Sequence, residues 1–376
     1  MRRRQGESLS AQRQFARADG FTKPSLQTVR GTREGRESRQ EDPPLISALV
    51  CTCSRDRLVV DAISSILANT HLNFELVVVD QSKDDETREA LRPFSTDLRL
   101  RYLKIATIGK GYALNAGLRE TKGAVVAITD DDCTVPPNWL ETFASIFAAH
   151  PKVAVAFCCV ESGEHDRTAG FVPDYVLTFD RMLTTMHDAR HARGLGAGIA
   201  VRRKGIEEIG GFDPMLGPGS RFPSCDDRDI AIRALLAGYH VYETSVIAVK
   251  HFGFRTWQQG RQLTRRDFLA IGAAYSKFLK CGRIELIYIP AYEFTKYALW
   301  PPIRDLLHLR QPRGMVRITA FVKGFIEGLR TPLDKATMMF VDGQRENSIP
   351  VTVSSPEPKL ARTPGNHPAV RESDAN

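Results

Sequence analysis

Five short apolar runs, each closing near a polar residue and each parted from the next by a segment of helical spacing, restrict this chain to few architectures. Leu45–Cys53 carries no charge, and Val60, Ile63 and Leu67 then recur at helical intervals across 57–68. Phe74–Asp80 is a second run, dense in β-branched residues, with a helix expected over 84–94. Leu100–Leu103 reads as a third strand, Lys110–Glu120 as a helix, and Ala124–Thr129 as a fourth strand that stops at three aspartates. Pro136-Pro137 opens a helix to about Ala149, since proline suits the first helical turn, and Val153–Val160 is the fifth run. Apolar runs alternating with helices predict a mainly parallel sheet covered on both faces. Ligands of such sheets bind beyond the carboxyl ends of the strands. Thr52, Asp80 and the triplet Asp130, Asp131 and Asp132 all gather there.

Three adjacent carboxylates at a strand end repel one another, by about 1 kcal/mol per pair at about 4 Å in water and about 4 at an effective dielectric of 20. A divalent ion turns that repulsion into binding, and hard oxygen ligands suit Mg²⁺ or Mn²⁺. The plainer alternative is a solvated acidic turn ahead of the next helix. Farther on, Ser224 to Ala237 reads as a helix whose start, Ser224-Cys225-Asp226-Asp227, resembles a capping box. Asp229 is spaced to pair with Arg233. One of these acids could instead serve as a general base, since a carboxylate at a helix start stays ionised. His251 follows a strand over 240–249 and is ordinarily a packed histidine. Gly196 and Gly198 would let backbone approach a ligand closely. His187 and His191 imitate a two-histidine zinc helix, but aspartate replaces the expected glutamate and no third ligand follows.

Several function classes drop out. The chain has neither the phosphate-loop pattern nor a dinucleotide glycine fingerprint. Its seven cysteines include no Cys-x-x-Cys, so a zinc ribbon or redox dithiol is not expected. Cys51 and Cys53 read as strand packing, and a reducing compartment fits. No secretory signal stands out. The most apolar long stretch, 285–303, carries Glu293 and Lys296 and is broken by prolines, so no membrane span is expected. The net charge of +8 is local: 1–42 carries +4 and 250–330 carries +10.

Together the motifs resemble the family 2 glycosyltransferases, inverting enzymes of the GT-A fold. Ala48-Leu49-Val50-Cys51-Thr52-Cys53-Ser54-Arg55 is similar to the family's opening strand and turn, and Glu75–Ser82 to its second strand. Gly109-Lys110-Gly111-Tyr112-Ala113-Leu114-Asn115-Ala116-Gly117 resembles its Gly-x-x-x-Ala-Arg-Asn-x-Gly helix. Asp130-Asp131-Asp132 fits Asp-x-Asp, and Gly210-Gly211-Phe212-Asp213 with Asp226-Asp227-x-Asp229-Ile230-x-x-Arg233 fits the acceptor-side motif.

The resemblance implies an α/β/α sandwich with a mainly parallel central sheet and a helical C-terminal extension. It implies that Thr52, Arg55, Asp80, Lys110, Asp130 and Asp131 bind a nucleotide-sugar donor, a UDP-sugar being favoured. Asp132 and His251 would hold Mn²⁺ or Mg²⁺, and Asp227 would be the catalytic base. Gly198, Asp226 and Arg233 would stand on the acceptor side. The acceptor would be a saccharide or a lipid-linked precursor, with one sugar moved at the cytoplasmic side of the cell membrane. Gln81 and Leu114 replace the usual aspartate and arginine, which motivates an alternative, a catalytically silent sugar-nucleotide-binding protein. A phosphoacceptor domain also gathers aspartates at strand ends but has no use for the 226–233 helix.

The expected organisation is a basic disordered tail over 1–42 and a catalytic domain over 43–255, its nucleotide half 43–135 and its acceptor half 136–255. A basic helical extension over 256–343 and a disordered tail over 344–376 complete it. The cations and aromatics of 250–330 carry no nucleic-acid motif, so nucleic acid is not an expected partner. They suit peripheral contact with an anionic membrane.

Overall fold

A computed structural model of the chain describes residues 43–342 and 351–354. The tail expected over 1–42, and the one over 344–376 apart from 351–354, lie outside the described residues. The strands are β1 (Ile46–Thr52), β2 (Phe74–Asp80), β3 (Leu100–Ile105), β4 (Val125–Asp130), β5 (Cys133–Thr134), β6 (Val153–Ser162), β7 (Gly170–Phe171), β8 (Arg181–Leu183), β9 (Ile199–Arg202), β10 (His240–His251), β11 (Arg255–Thr256), β12 (Leu333–Asp334), β13 (Met339–Phe340) and β14 (Val351–Ser354). The central sheet runs β14-β3-β2-β1-β4-β9-β6-β10-β5, with β8 against β10.

Only part of this sheet is parallel. The pairs β1–β2, β1–β4, β2–β3 and β6–β10 are parallel, as the crossover pattern requires. β9 enters antiparallel between β4 and β6, and β5, β8 and β14 are also antiparallel. The sheet is therefore mixed beyond β4 and at its β14 edge. β14 is an edge strand inside the segment read as a tail.

Alternation along the strands sorts side chains to two faces. Ala48, Val50, Leu76 and Val78 meet one helical layer, α1 (Asp56–Leu67) and, later in the chain, Trp139–Ala149. Leu49, Val77 and Val79 face the opposite layer. The expected helix over 84–94 is two short pieces, α2 (Glu86–Ala90) and a 3₁₀ turn at Arg92–Phe94, because Pro93 cannot continue an α-helix. α3 (Lys110–Glu120) packs on the second face, and α4 (Trp139–Ala149) on the first. α5 (Arg203–Glu208) and α6 (Asp226–Leu236) follow before the extension. Each large apolar side chain fully buried this way contributes about 1.5–3 kcal/mol.

The extension begins with α7 (Trp257–Lys280), capped by a Thr256–Gln259 box. α8 (Tyr288–Glu293), a π-helical stretch at Phe294–Leu299, α9 (Trp300–Leu307) and α10 (Met315–Arg330) follow. Pro301 has no N–H to offer the Tyr297 carbonyl one turn back, and Arg317 supplies the missing donor at 3.2 Å. The extension is tied to the preceding part of the chain by buried charge. Lys277 pairs with Asp213 and, at 2.8 Å, with Asp229, while Glu293 pairs with Arg193 and, at 3.3 Å, with Arg228.

Candidate active site

The carboxyl ends of β1, β2 and β4 open into a cavity of about 420 Å³. Thr52, Arg55, Lys110, Asp130, Asp131, Asp132 and His251 all line it, with Gln81, Gly109, Pro173, Arg255 and Leu263. Parallel pairing of β1 with β4 sets Cys51 beside Asp130, so the two strands release Thr52 and the triplet at one level. Thr52 Oγ1 donates to Asp131 at 2.7 Å. The Arg55 guanidinium reaches Asp131 at 3.3 Å and also pairs with Asp132. Burial pushes Asp131 up to about 6 against the opposing charge of Arg55.

His251 arrives from the far side of the sheet. Antiparallel pairing of β10 with the two-residue β5 sets His251 opposite Cys133, directly after the triplet. Its Nδ1 donates to the Pro173 carbonyl at 3.0 Å, which turns Nε2 toward Asp132 Oδ1 at 3.3 Å. Burial alone would raise Asp132, but His251 and Arg55 outweigh it and its pKa falls. Asp132, Cys133 and His251 bring ligand atoms within 4.8 Å of one another. Burial raises the Cys133 thiol strongly, so Asp132 and His251 are the donors suited to a hard cation. Both converge on bare backbone: a Cβ on Gly253 would lie 2.5 Å from His251 Nε2 and 2.6 Å from Asp132 Oδ2. The donor set and the space beside it fit a divalent ion.

Lys110 joins the triplet to α6. Its Nζ pairs with Asp130, and the charges of Asp130, Asp226 and Asp227 hold it cationic although burial opposes this. Gly196 packs between them, its Cβ position 3.2 Å from Lys110 Nζ and 3.9 Å from Asp227 Cβ. The aspartate triplet and Asp227 thus share one region, as a transfer reaction requires. Burial pushes Asp226 up to about 7 and also raises Asp227.

The expected capping box at α6 is absent. The cap residue is Cys225 in a left-handed conformation, and no side chain caps the helix. Asp227 accepts the Gly196 amide on one oxygen at 3.1 Å and the Arg228 amide on the other at 2.7 Å. Its side chain is therefore held between the loop before β9 and the first turn of its own helix.

Three of the residues expected to make contacts lie off the cavity wall. Asp80 is fully buried, accepting Ser82 N at 2.8 Å and the Ser82 and Tyr102 hydroxyls at 2.5 Å each, so it shapes the strand end and does not meet the cavity. Arg233 is 2% exposed and spent on Asp229 and on the carbonyls of Ile209 and Gly211. Gly198 is buried against Cys158 and Val160. All three are enclosed by protein. Cys53 is exposed beyond β1 on the cavity wall and is not strand packing. His187 and His191 lie on a 3₁₀ turn, where the His191 ring accepts Arg190 at 3.0 Å. Neither belongs to a metal-capable cluster among the described residues.

Asn115, inside the glycine-rich helix motif, donates to the Phe212 carbonyl at 2.7 Å and accepts its amide at 2.9 Å, locking α3 to the Gly-Gly-Phe-Asp turn. Leu114, where arginine is usual, is 2% exposed in the core. The Gln81 amide nitrogen donates to the carbonyls of Thr107 and Gly109, bracing the loop before α3.

Residues 47–210 match the family model Glycosyl transferase family 2. This segment is a family 2 glycosyltransferase domain. The chain is 25% identical over 307 residues to the glucosyl-dolichyl phosphate glucuronosyltransferase of Haloferax volcanii, covering 76% of this chain and 97% of that one. Over 146 residues it is 26% identical to the validoxylamine A glucosyltransferase of Streptomyces hygroscopicus subsp. limoneus, covering 37% and 32%. A mannosyltransferase of Pyrobaculum calidifontis, solved with GDP-mannose and Mn²⁺, superposes with a TM-score of 0.52 at 18% identity, over 76% of this chain and 87% of that one. The fold of this glycosyltransferase is GT-A, as in that mannosyltransferase. Among the described residues no helix is long and apolar enough to cross a membrane.

Proposed function

We propose that this glycosyltransferase is metal-dependent and inverting, moving one sugar to a hydroxyl of a saccharide or lipid-linked acceptor in a cell-surface polysaccharide or glycolipid precursor. The observation that carries the reading is Lys110, which holds Asp130 on one side and faces the Asp226–Asp227 pair on the other.

The donor diphosphate fits beside Lys110 and Arg55, and the positive end of α3 starts at the same wall with Gly109 and Lys110. Asp132 and His251 would hold a divalent ion there, whose charge would stabilise the departing diphosphate; the Mn²⁺ bound by the fold relative supports that choice. The acceptor oxygen attacks the anomeric carbon opposite the leaving group. As that bond forms, the carbon–phosphate-oxygen bond breaks with its electron pair, and Asp227 takes the hydroxyl proton. A raised carboxylate pKa suits this work, because a stronger base draws the proton more readily. The missing arginine at Leu114 is answered by Lys110 and Arg55, both on the cavity.

A thermal-shift screen of nucleotide sugars with and without Mn²⁺ identifies the donor, and transfer or donor hydrolysis is then followed by product analysis. Mn²⁺-dependent turnover with an inverted product supports the reading. Donor binding without turnover on any acceptor tried supports the silent binding protein.

A further inference from the structure

Twelve of the twenty large apolar side chains that stand exposed among the described residues fall between Ile284 and Leu329. They are ordered. On α10, Met315, Val322, Ile326 and Leu329 recur at the spacing of one helical face, with Lys323 and Arg330 each one residue beyond it. On α9, Trp300, Ile303 and Leu307 share a face in the same way. Between α8 and α10 lies a groove of about 250 Å³ with wholly apolar walls. Phe294, Phe321 and Phe325 form its deeper part, and Ile287, Val322 and Ile326 stand exposed at its rim.

The surrounding charge is predominantly positive, with Glu327 paired to Lys323 at 3.6 Å. Residues 283–330 carry eight Lys and Arg against four Asp and Glu, and two of those acids, Glu293 and Asp305, are buried. Lys296, Arg310, Arg313, Lys323 and Arg330 are exposed. A second copy docked on this face would bring the same cations against each other. An anionic bilayer offers the complementary partner, with hydrocarbon for the apolar stripe and phosphate for its rim.

We propose that the outer face of α8, α9 and α10 docks on the surface of an anionic lipid bilayer, with the groove admitting an acyl chain. The docking does not rest on the proposed reaction, but it gives that reaction a place. α8 borders the groove and also reaches toward the base region. Its inner residue Glu293 holds Arg228, the neighbour of Asp227 in the chain, while Ile287 and Phe294 at its two ends face the groove.

The test is flotation of the full chain with phosphatidylcholine vesicles, with and without phosphatidylglycerol. The wild type should float with the anionic vesicles and be released as salt is raised. Val322→Glu combined with Ile326→Glu should weaken that binding about tenfold or more, with Tm and donor hydrolysis unchanged. Should that variant misfold, Lys323→Glu with Arg330→Glu carries the same expectation from the exposed rim. A wild type that stays with neither vesicle overturns the proposal. So does folded variant protein that binds like wild type, which places binding elsewhere. A wild-type dimer in light scattering that Val322→Glu with Ile326→Glu dissociates would make this face a contact between copies, and the membrane assignment would fall.

Discussion

Gly196 donates its backbone amide to Asp227 at 3.1 Å, so the aim of the proposed base is set by the loop before β9. The Arg228 amide holds the other carboxylate oxygen at 2.7 Å. Asp227→Asn keeps one acceptor and the shape, but removes the basic oxygen. Turnover should fall by about 10²–10⁴-fold while nucleotide binding persists. Calorimetry and initial rates on the same preparation separate the two, and near-normal turnover would remove Asp227 from the reaction.

Burial raises Asp227, so the acid limb of kcat/KM should lie above the ordinary carboxylate range. Lys110 opposes that rise, because a nearby cation favours the ionised acid. Lys110→Met should therefore move the limb to still higher pH, besides weakening donor binding. A rate profile whose limb stays put or moves down would show that Lys110 does not act on the base.

Gly253→Ala places a methyl against the two groups expected to hold the ion, at 2.5 Å and 2.6 Å from their nearest atoms. Mn²⁺ affinity, read by calorimetry, should fall about 10–100-fold with little change in Tm. Asp132→Ala should abolish it. Wild-type affinity in either variant would place the ion elsewhere.

Lys277 is 1% exposed and answers Asp213 and Asp229 together. Lys277→Met should cost about 3–5 kcal/mol in urea unfolding, because it strands buried carboxylates. Burial alone would raise Asp229, yet Lys277 and Arg233 outweigh it and lower its pKa. A lowered folded pKa gives stability that is present above the unfolded value and lost as pH falls through the folded one. Wild-type stability should thus decline below about pH 4, and the decline should be shallower in the variant. Parallel pH curves would assign the acid loss to other groups.

Much of the nucleotide half was legible because its signals are local. Buried parallel strands read as unbroken apolar runs, and the residues that leave their ends, Thr52, Asp130, Asp131 and Asp132, do line the cavity. The antiparallel β9 was not legible as such, since Ile199–Arg202 has the same β-branched character whichever way it pairs. Asp80 and Arg233 occupy family motifs, but a motif fixes position in the chain and not exposure. Both prove to be buried braces. Gly253 and Pro173 complete the surroundings of His251 through backbone alone, which leaves no pattern to read. Lys277 and Glu293 lie in the extension, far in sequence from the acids and arginines they answer. Glu293 also looked like a flaw in an apolar stretch, when it is the residue that anchors α8 inward.

That anchoring bears on how this polypeptide can be divided. A fragment ending at Arg255 would include every group on the cavity wall except Leu263, yet it would leave Asp213, Asp229, Arg193 and Arg228 without the counter-charges that α7 and α8 supply. Sequence boundaries drawn around the reaction centre would therefore cut through its supports, and shuffling the C-terminal third between relatives would have to carry Lys277 and Glu293 along.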